Sequence, residues 1–158
     1  TLIMKLYDGS IIPANHKVNH AEQNRRINHY YRPYHQAYSG LATHDRAIVA
    51  IHSFTPQLKG HPPRPWEIGV LFGQDRRLAD NVITGLKLEK DLIIGINEPY
   101  NGHLLGDSID QHALSKNRLN VLIEVRNDLI RTAGKQTSWA RFLAPILQKA
   151  LIDTKTNS

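Results

Sequence analysis

Apolar positions recur along the chain in two alternating periods. Ile27, Tyr30, Tyr31, Tyr34, Tyr38 and Leu41 return at helical spacing and form one stripe. Asn19, with Glu22 three residues on, is a start signal for that helix, and Pro33 inside it predicts a kink. Ala47 to Phe54 then reads as a strand, and Ile68 to Phe72 as another. A helix from about Arg77 to Leu88 carries Leu78, Val82, Ile83 and Leu86 on one face. Leu92 to Ile96 is a third strand and Leu119 to Val125 a fourth. A closing helix, capped by Thr137 or Ser138, buries Trp139, Phe142, Leu143, Ile146 and Leu147.

The strand cores are continuous apolar runs, Ile48-Val49-Ala50-Ile51, Leu92-Ile93-Ile94 and Val121-Leu122-Ile123. Strands covered on both faces need such runs, whereas a sheet wetted on one side alternates. Strands interspersed with helices then predict one α/β layered domain over residues 1–158, a mostly parallel or mixed central sheet flanked by helices. Pro56 to Pro65, with Gly60 and further prolines, reads as a loop rather than a boundary between domains. The polar end, Asp153 to Ser158, reads as frayed.

Composition narrows the function classes. Twenty Lys and Arg against fourteen Asp and Glu give +6 over 158 residues. The cations are dispersed: Arg25-Arg26 and Arg76-Arg77 lie close to Glu22, Asp75 and Asp80, which argues against a nucleic-acid face and suits a small anionic substrate. The absence of Cys removes disulfides, thiolate metal sites and a Cys nucleophile. No apolar run approaches the ~18 residues of a membrane span, and no secretory signal opens the chain, so the expectation is a cytoplasmic protein with no membrane partner. The chain begins at Thr1 and its one Met is Met4, which reads as a trimmed terminus or part of a longer protein.

Candidate chemistry follows the strands. The first ends in His52-Ser53, the third in Asn97-Glu98-Pro99-Tyr100, and the fourth in Glu124-Val125-Arg126-Asn127-Asp128. Ligands of open α/β sheets bind outside the carboxyl ends of the strands. If these three strands run parallel, His52, Asn97, Glu124 and Arg126 converge on one crevice suited to metal-assisted or general-base hydrolysis. Glu124 stands within a run that should be buried, so its carboxylate is paired with Arg126 or another cation, protonated, or bound to metal. His52 is open to a structural or a ligating role. His16 and His20 have zinc-ligand spacing, but the predicted cap at Asn19 separates them, and His29, His35 and His44 read as surface residues. Ser53 lacks the surroundings of a nucleophile elbow.

Six segments occurring in order resemble the N-formylglutamate amidohydrolase family, a relative of the zinc carboxypeptidases. They are Asp8-Gly9-Ser10-Ile11-Ile12-Pro13-Ala14-Asn15, Tyr31-Arg32-Pro33-Tyr34-His35, Ile51-His52-Ser53-Phe54-Thr55-Pro56, Arg64-Pro65-Trp66-Glu67-Ile68-Gly69-Val70-Leu71, Asn97-Glu98-Pro99-Tyr100-Asn101-Gly102 and Leu122-Ile123-Glu124-Val125-Arg126-Asn127-Asp128-Leu129. The resemblance implies a phosphorylase/hydrolase-like domain that hydrolyses the amide of a small anionic N-acyl amino acid such as N-formylglutamate, a step of amino-acid degradation. It implies zinc, with His52 as a ligand, Glu124 as general base, and Arg126 as partner of Glu124 or of a substrate carboxylate. Arg64, Asn97, Tyr100 and His112 become substrate-pocket candidates. The family's His/Glu pair of zinc ligands has no H-x-x-E counterpart here. The expectation is therefore a C-terminal portion, its sheet edge completed by a missing N-terminal segment or an oligomer. The alternative is a metal-free binding or assembly domain for acidic amino-acid derivatives.

Overall fold

The computed structural model describes residues 3–43 and 46–156. Helix α1 (His20–Arg26) starts where Asn19 accepts the Glu22 amide, and a π-helical turn over Ile27–Tyr31 joins it to α2 (Arg32–Leu41). Where the sequence predicts a kink at Pro33, the structure has this π-helical turn, its Arg32 amide bonding back to the Ile27 carbonyl, and Pro33, which has no N–H to donate, falls in the first turn of α2. The stripe on this helix is mostly not a core face. Tyr30, Tyr34 and Leu41 are exposed, and Tyr38 alone of the stripe packs on a small cluster with Ile48, Ile109 and Ala113. His44, read from sequence as a surface residue, lies outside the described residues.

Four strands follow: β1 (Ile48–Phe54), β2 (Ile68–Leu71), β3 (Ile94–Ile96) and β4 (Asn120–Arg126). They lie in the order β1-β4-β2-β3. β1 is parallel to β4 and β3 is parallel to β2, but β2 is antiparallel to β4. The sheet is thus mixed: two parallel pairs meet at an antiparallel seam. Helices α3 (Arg77–Leu86) and α5 (Ala133–Thr156) cover one face, with Leu78, Val82, Leu86 and Leu143 against Val121, Ile123, Val125, Ile68 and Val70. A short α4 (Ser108–His112), not foreseen from sequence, starts where the Asp107 carboxylate accepts the Asp110 amide.

Two expectations change. α5 begins four residues before the predicted cap, where the Thr132 hydroxyl accepts the Lys135 amide. It also runs on through Thr156 instead of fraying at Asp153, because buried Thr154 bonds the Ala150 carbonyl and the Asn81 amide of α3. The apolar run of β1 is covered on one side only. It is an edge strand, and Val49 and Ile51 face out at 38% and 58% exposure. No helix of the described residues is long and apolar enough to cross a membrane.

Candidate functional site

The parallel register of β1 and β4 places His52 beside Glu124 and Phe54 beside Arg126, while the antiparallel register places Gly69 on the other flank of Glu124. Side chains alternate along a strand, so the face of β4 that turns Val121, Ile123 and Val125 into the core turns Glu124 and Arg126 the other way, with His52 and Phe54. Glu124 is buried at 5% exposure although it is acidic. Its Oε1 lies 3.8 Å from His52 Nδ1, beyond hydrogen-bond length, and its buried Oε2 has no hydrogen-bond partner among the described residues. Burial pushes the Glu124 carboxyl up to about 7, against an opposing pull from the Arg64 guanidinium. A carboxyl held near neutrality can both take up and return a proton.

Arg64 comes from the loop between β1 and β2. Its Nη1 donates to the Thr55 carbonyl and to the Tyr100 hydroxyl, both at 3.1 Å. The guanidinium lies 5.0 Å from the Tyr100 ring centre and 5.7 Å from that of Phe54. Tyr7 stacks on Tyr100 at 4.9 Å and continues this aromatic wall. Among the described residues Arg64 has no carboxylate within salt-bridge distance. The cation that bears on Glu124 is therefore Arg64, which arrives by a loop and leaves no spacing signal on β4.

The other candidates are placed differently. Arg126 does not pair with Glu124: its Nε donates to Asp128 at 2.8 Å, and its Nη1 lies 3.3 Å from each of the carbonyls of Arg64, Pro65 and Trp66. That contact holds the Asp128 carboxyl below its usual range. Asn97 does not share the crevice by strand direction, since β3 runs against β4; its Oδ1 accepts the Phe72 amide instead. The chain beyond it folds back over Gly69 and Gly95, and this fold-back delivers Tyr100 to Arg64. His112 is buried on α4 with its Nε2 2.7 Å from His35 Nδ1 and Tyr38 stacked on its ring. α4 packs on Ile48, about 13 Å along β1 from His52 at roughly 3.3 Å per residue. His35, expected on the surface, is part of that half-buried pair.

The donor set does not complete a catalytic zinc site. Such a zinc takes three protein ligands, and no group of three or more His, Cys, Asp or Glu that could hold a metal exists among the described residues. His52, 57% exposed in its side chain, lies with Glu124 on this face.

Residues 1–131 match the model of the family described as N-formylglutamate amidohydrolase. Two solved structures are similar. One is a gene product of Agrobacterium tumefaciens, 34% identical with a TM-score of 0.83 over 97% of this chain and 62% of that one. The other is an N-formylglutamate amidohydrolase from Ralstonia eutropha JMP134, 28% identical with a TM-score of 0.62 over 87% of this chain and 56% of that one. The chain thus spans less than two thirds of the length of either. No curated protein matches the sequence.

Proposed function

The chain belongs to the N-formylglutamate amidohydrolase family, and from that premise we propose that Glu124 acts as the base that hydrolyses the amide of an N-acyl amino acid such as N-formylglutamate. The supporting observation is a buried carboxylate with an unpartnered Oε2, beside a guanidinium that has no carboxylate within salt-bridge distance among the described residues. Ionised Glu124 takes a proton from water as the water oxygen bonds to the acyl carbon. The same proton then goes to the amide nitrogen as the C–N bond breaks, leaving formate and glutamate. Arg64 uses the N–H groups not engaged by Thr55 and Tyr100 to bind a carboxylate of the substrate, a planar match between fork and anion. Tyr100 and Tyr7 wall the substrate and exclude water.

A zinc ion at this face would have His52 as its ligand from this chain. A chain loaded with zinc and then desalted is expected to retain well below one equivalent by elemental analysis. One tightly held zinc per chain, lost in His52→Ala, would show that ligands within these residues complete the site. The short donor set also favours a second reading, a metal-free binding domain for acidic amino-acid derivatives. Calorimetry and a formate assay on the same preparation separate the two: binding of N-formylglutamate with release of formate supports hydrolysis, and binding without release supports the second reading.

A further inference from the structure

Arg126 shares the Glu124 face of β4 but bonds elsewhere, to Asp128 and to the loop between β1 and β2. Arg126 is anchored by Asp128, from the short 3-10 turn after β4, and spends its Nη1 on three successive carbonyls of the opposite loop. The first of these carbonyls belongs to Arg64. A backbone bond reinforces the clasp, since the Arg126 amide donates to the Glu67 carbonyl at 2.9 Å. The loop is otherwise tied down by the Arg64 amide bonding to Pro56 at 2.8 Å and by the Arg64 side chain on Thr55. Three carbonyls converging on one guanidinium nitrogen fix the direction in which the Arg64 Cα–Cβ bond leaves the loop.

We infer that Arg126, held by Asp128, is a positioning residue that aims Arg64 at the substrate carboxylate. This rests on the proposed amidohydrolase reading for the ligand but not for the geometry. Arg126 lies at the carboxyl end of β4, two residues beyond the base, so a single strand sets both the base and the clasp that orients the binding cation. A Lys at this position could reach the carbonyls but could not hold the Asp128 carboxylate through a second, fixed N–H.

A double-mutant cycle tests it, with N-formylglutamate as the calorimetric probe and the Tyr100 ring proton shifts as a readout independent of activity. Arg64→Ala and Arg126→Ala are each expected to weaken binding about tenfold, and Arg126→Ala to shift the Tyr100 ring protons. The double variant is expected to bind no worse than Arg64→Ala alone, because Arg126 acts only through Arg64. Asp128→Asn is expected to move both readouts the same way by less, and it carries the test should Arg126→Ala fail to fold. Losses that add in the double variant, or unmoved Tyr100 shifts in both Arg126→Ala and Asp128→Asn, would overturn the inference. If the parent chain does not bind N-formylglutamate, the substrate reading fails by itself, and the Tyr100 shifts still decide whether Arg126 positions Arg64.

Discussion

Glu124→Gln is expected to abolish amide hydrolysis in any form of the enzyme that turns over with Glu124 in place, while the chain itself melts at a higher temperature above neutral pH. The two effects have one cause. A base at this position contributes roughly 10²–10⁴-fold to rate, and Gln cannot take a proton from water. The fold, however, disfavours the charge that the proposed base would carry: burial has raised the Glu124 carboxyl from 4.5 to about 7. The unfolded chain loses this proton near the ordinary value, and the folded chain keeps it until about 7. The favourable contribution of neutral Glu124 is therefore full below the ordinary carboxylate range and is lost as pH rises through 7. At pH 8 in metal-free buffer the ionised carboxylate lowers stability by on the order of 3 kcal/mol. Gln, which carries no charge, should then raise Tm by several degrees. At pH 4 the advantage should vanish. Melting curves at the two pH values check the stability half, and a formate assay checks the other; a variant that still hydrolyses at the parent rate would sink the assignment of the base.

Gly69→Ala is expected to be the most damaging small change on this face. Gly69 sits between Glu124 on one side and Gly95 on the other. A Cβ there would overlap the Glu98 carbonyl oxygen, a backbone atom, and would stand 3.4 Å from the Glu124 Cβ. Space rather than backbone conformation sets the requirement. The segment after β3 lies directly on the sheet at these two glycines and would have to lift away, taking Tyr100 from Arg64. Overpacking of this kind costs about 1–3 kcal/mol, and a 1 Å displacement of a binding group can lower turnover by about 10². A drop in Tm together with loss of N-formylglutamate binding is the expected outcome, read by thermal melting and calorimetry. Unchanged binding would mean that Tyr100 and Arg64 are held by something other than the fold-back of this segment.

Much of the layered fold was legible because its signals are local. The stripe Leu78, Val82, Ile83 and Leu86 is the core face of α3, and the strand segments lie within a residue or two of their predicted bounds. The starts of α1 and of the fourth strand followed from the Asn19–Glu22 pair and the Val121–Ile123 run. The Tyr-rich stripe of α2 had the same period as a core face yet is mostly exposed, because periodicity reports which residues share a face and not what lies opposite it. The run Ile48 to Ile51 likewise predicted cover on both sides, and an edge position left one side open.

For the site, sequence alone could single out Glu124, since a carboxylate inside an apolar strand needs an explanation wherever the strand lies. It could not choose the partner. Arg126 stands two residues away and Arg64 sixty, and what brings Arg64 within reach of Glu124 is the register of β1, β4 and β2, with the loop 55–67 folded between them. Nor could it give the direction of β3, which decides that Asn97 braces Phe72 and that Tyr100, three residues later, faces Arg64. Element type and core face are fixed by interactions a few residues long, which the sequence carries. Strand order, direction and the crossing of loops come from closing long chain segments on one another, and only the packed sheet records the result.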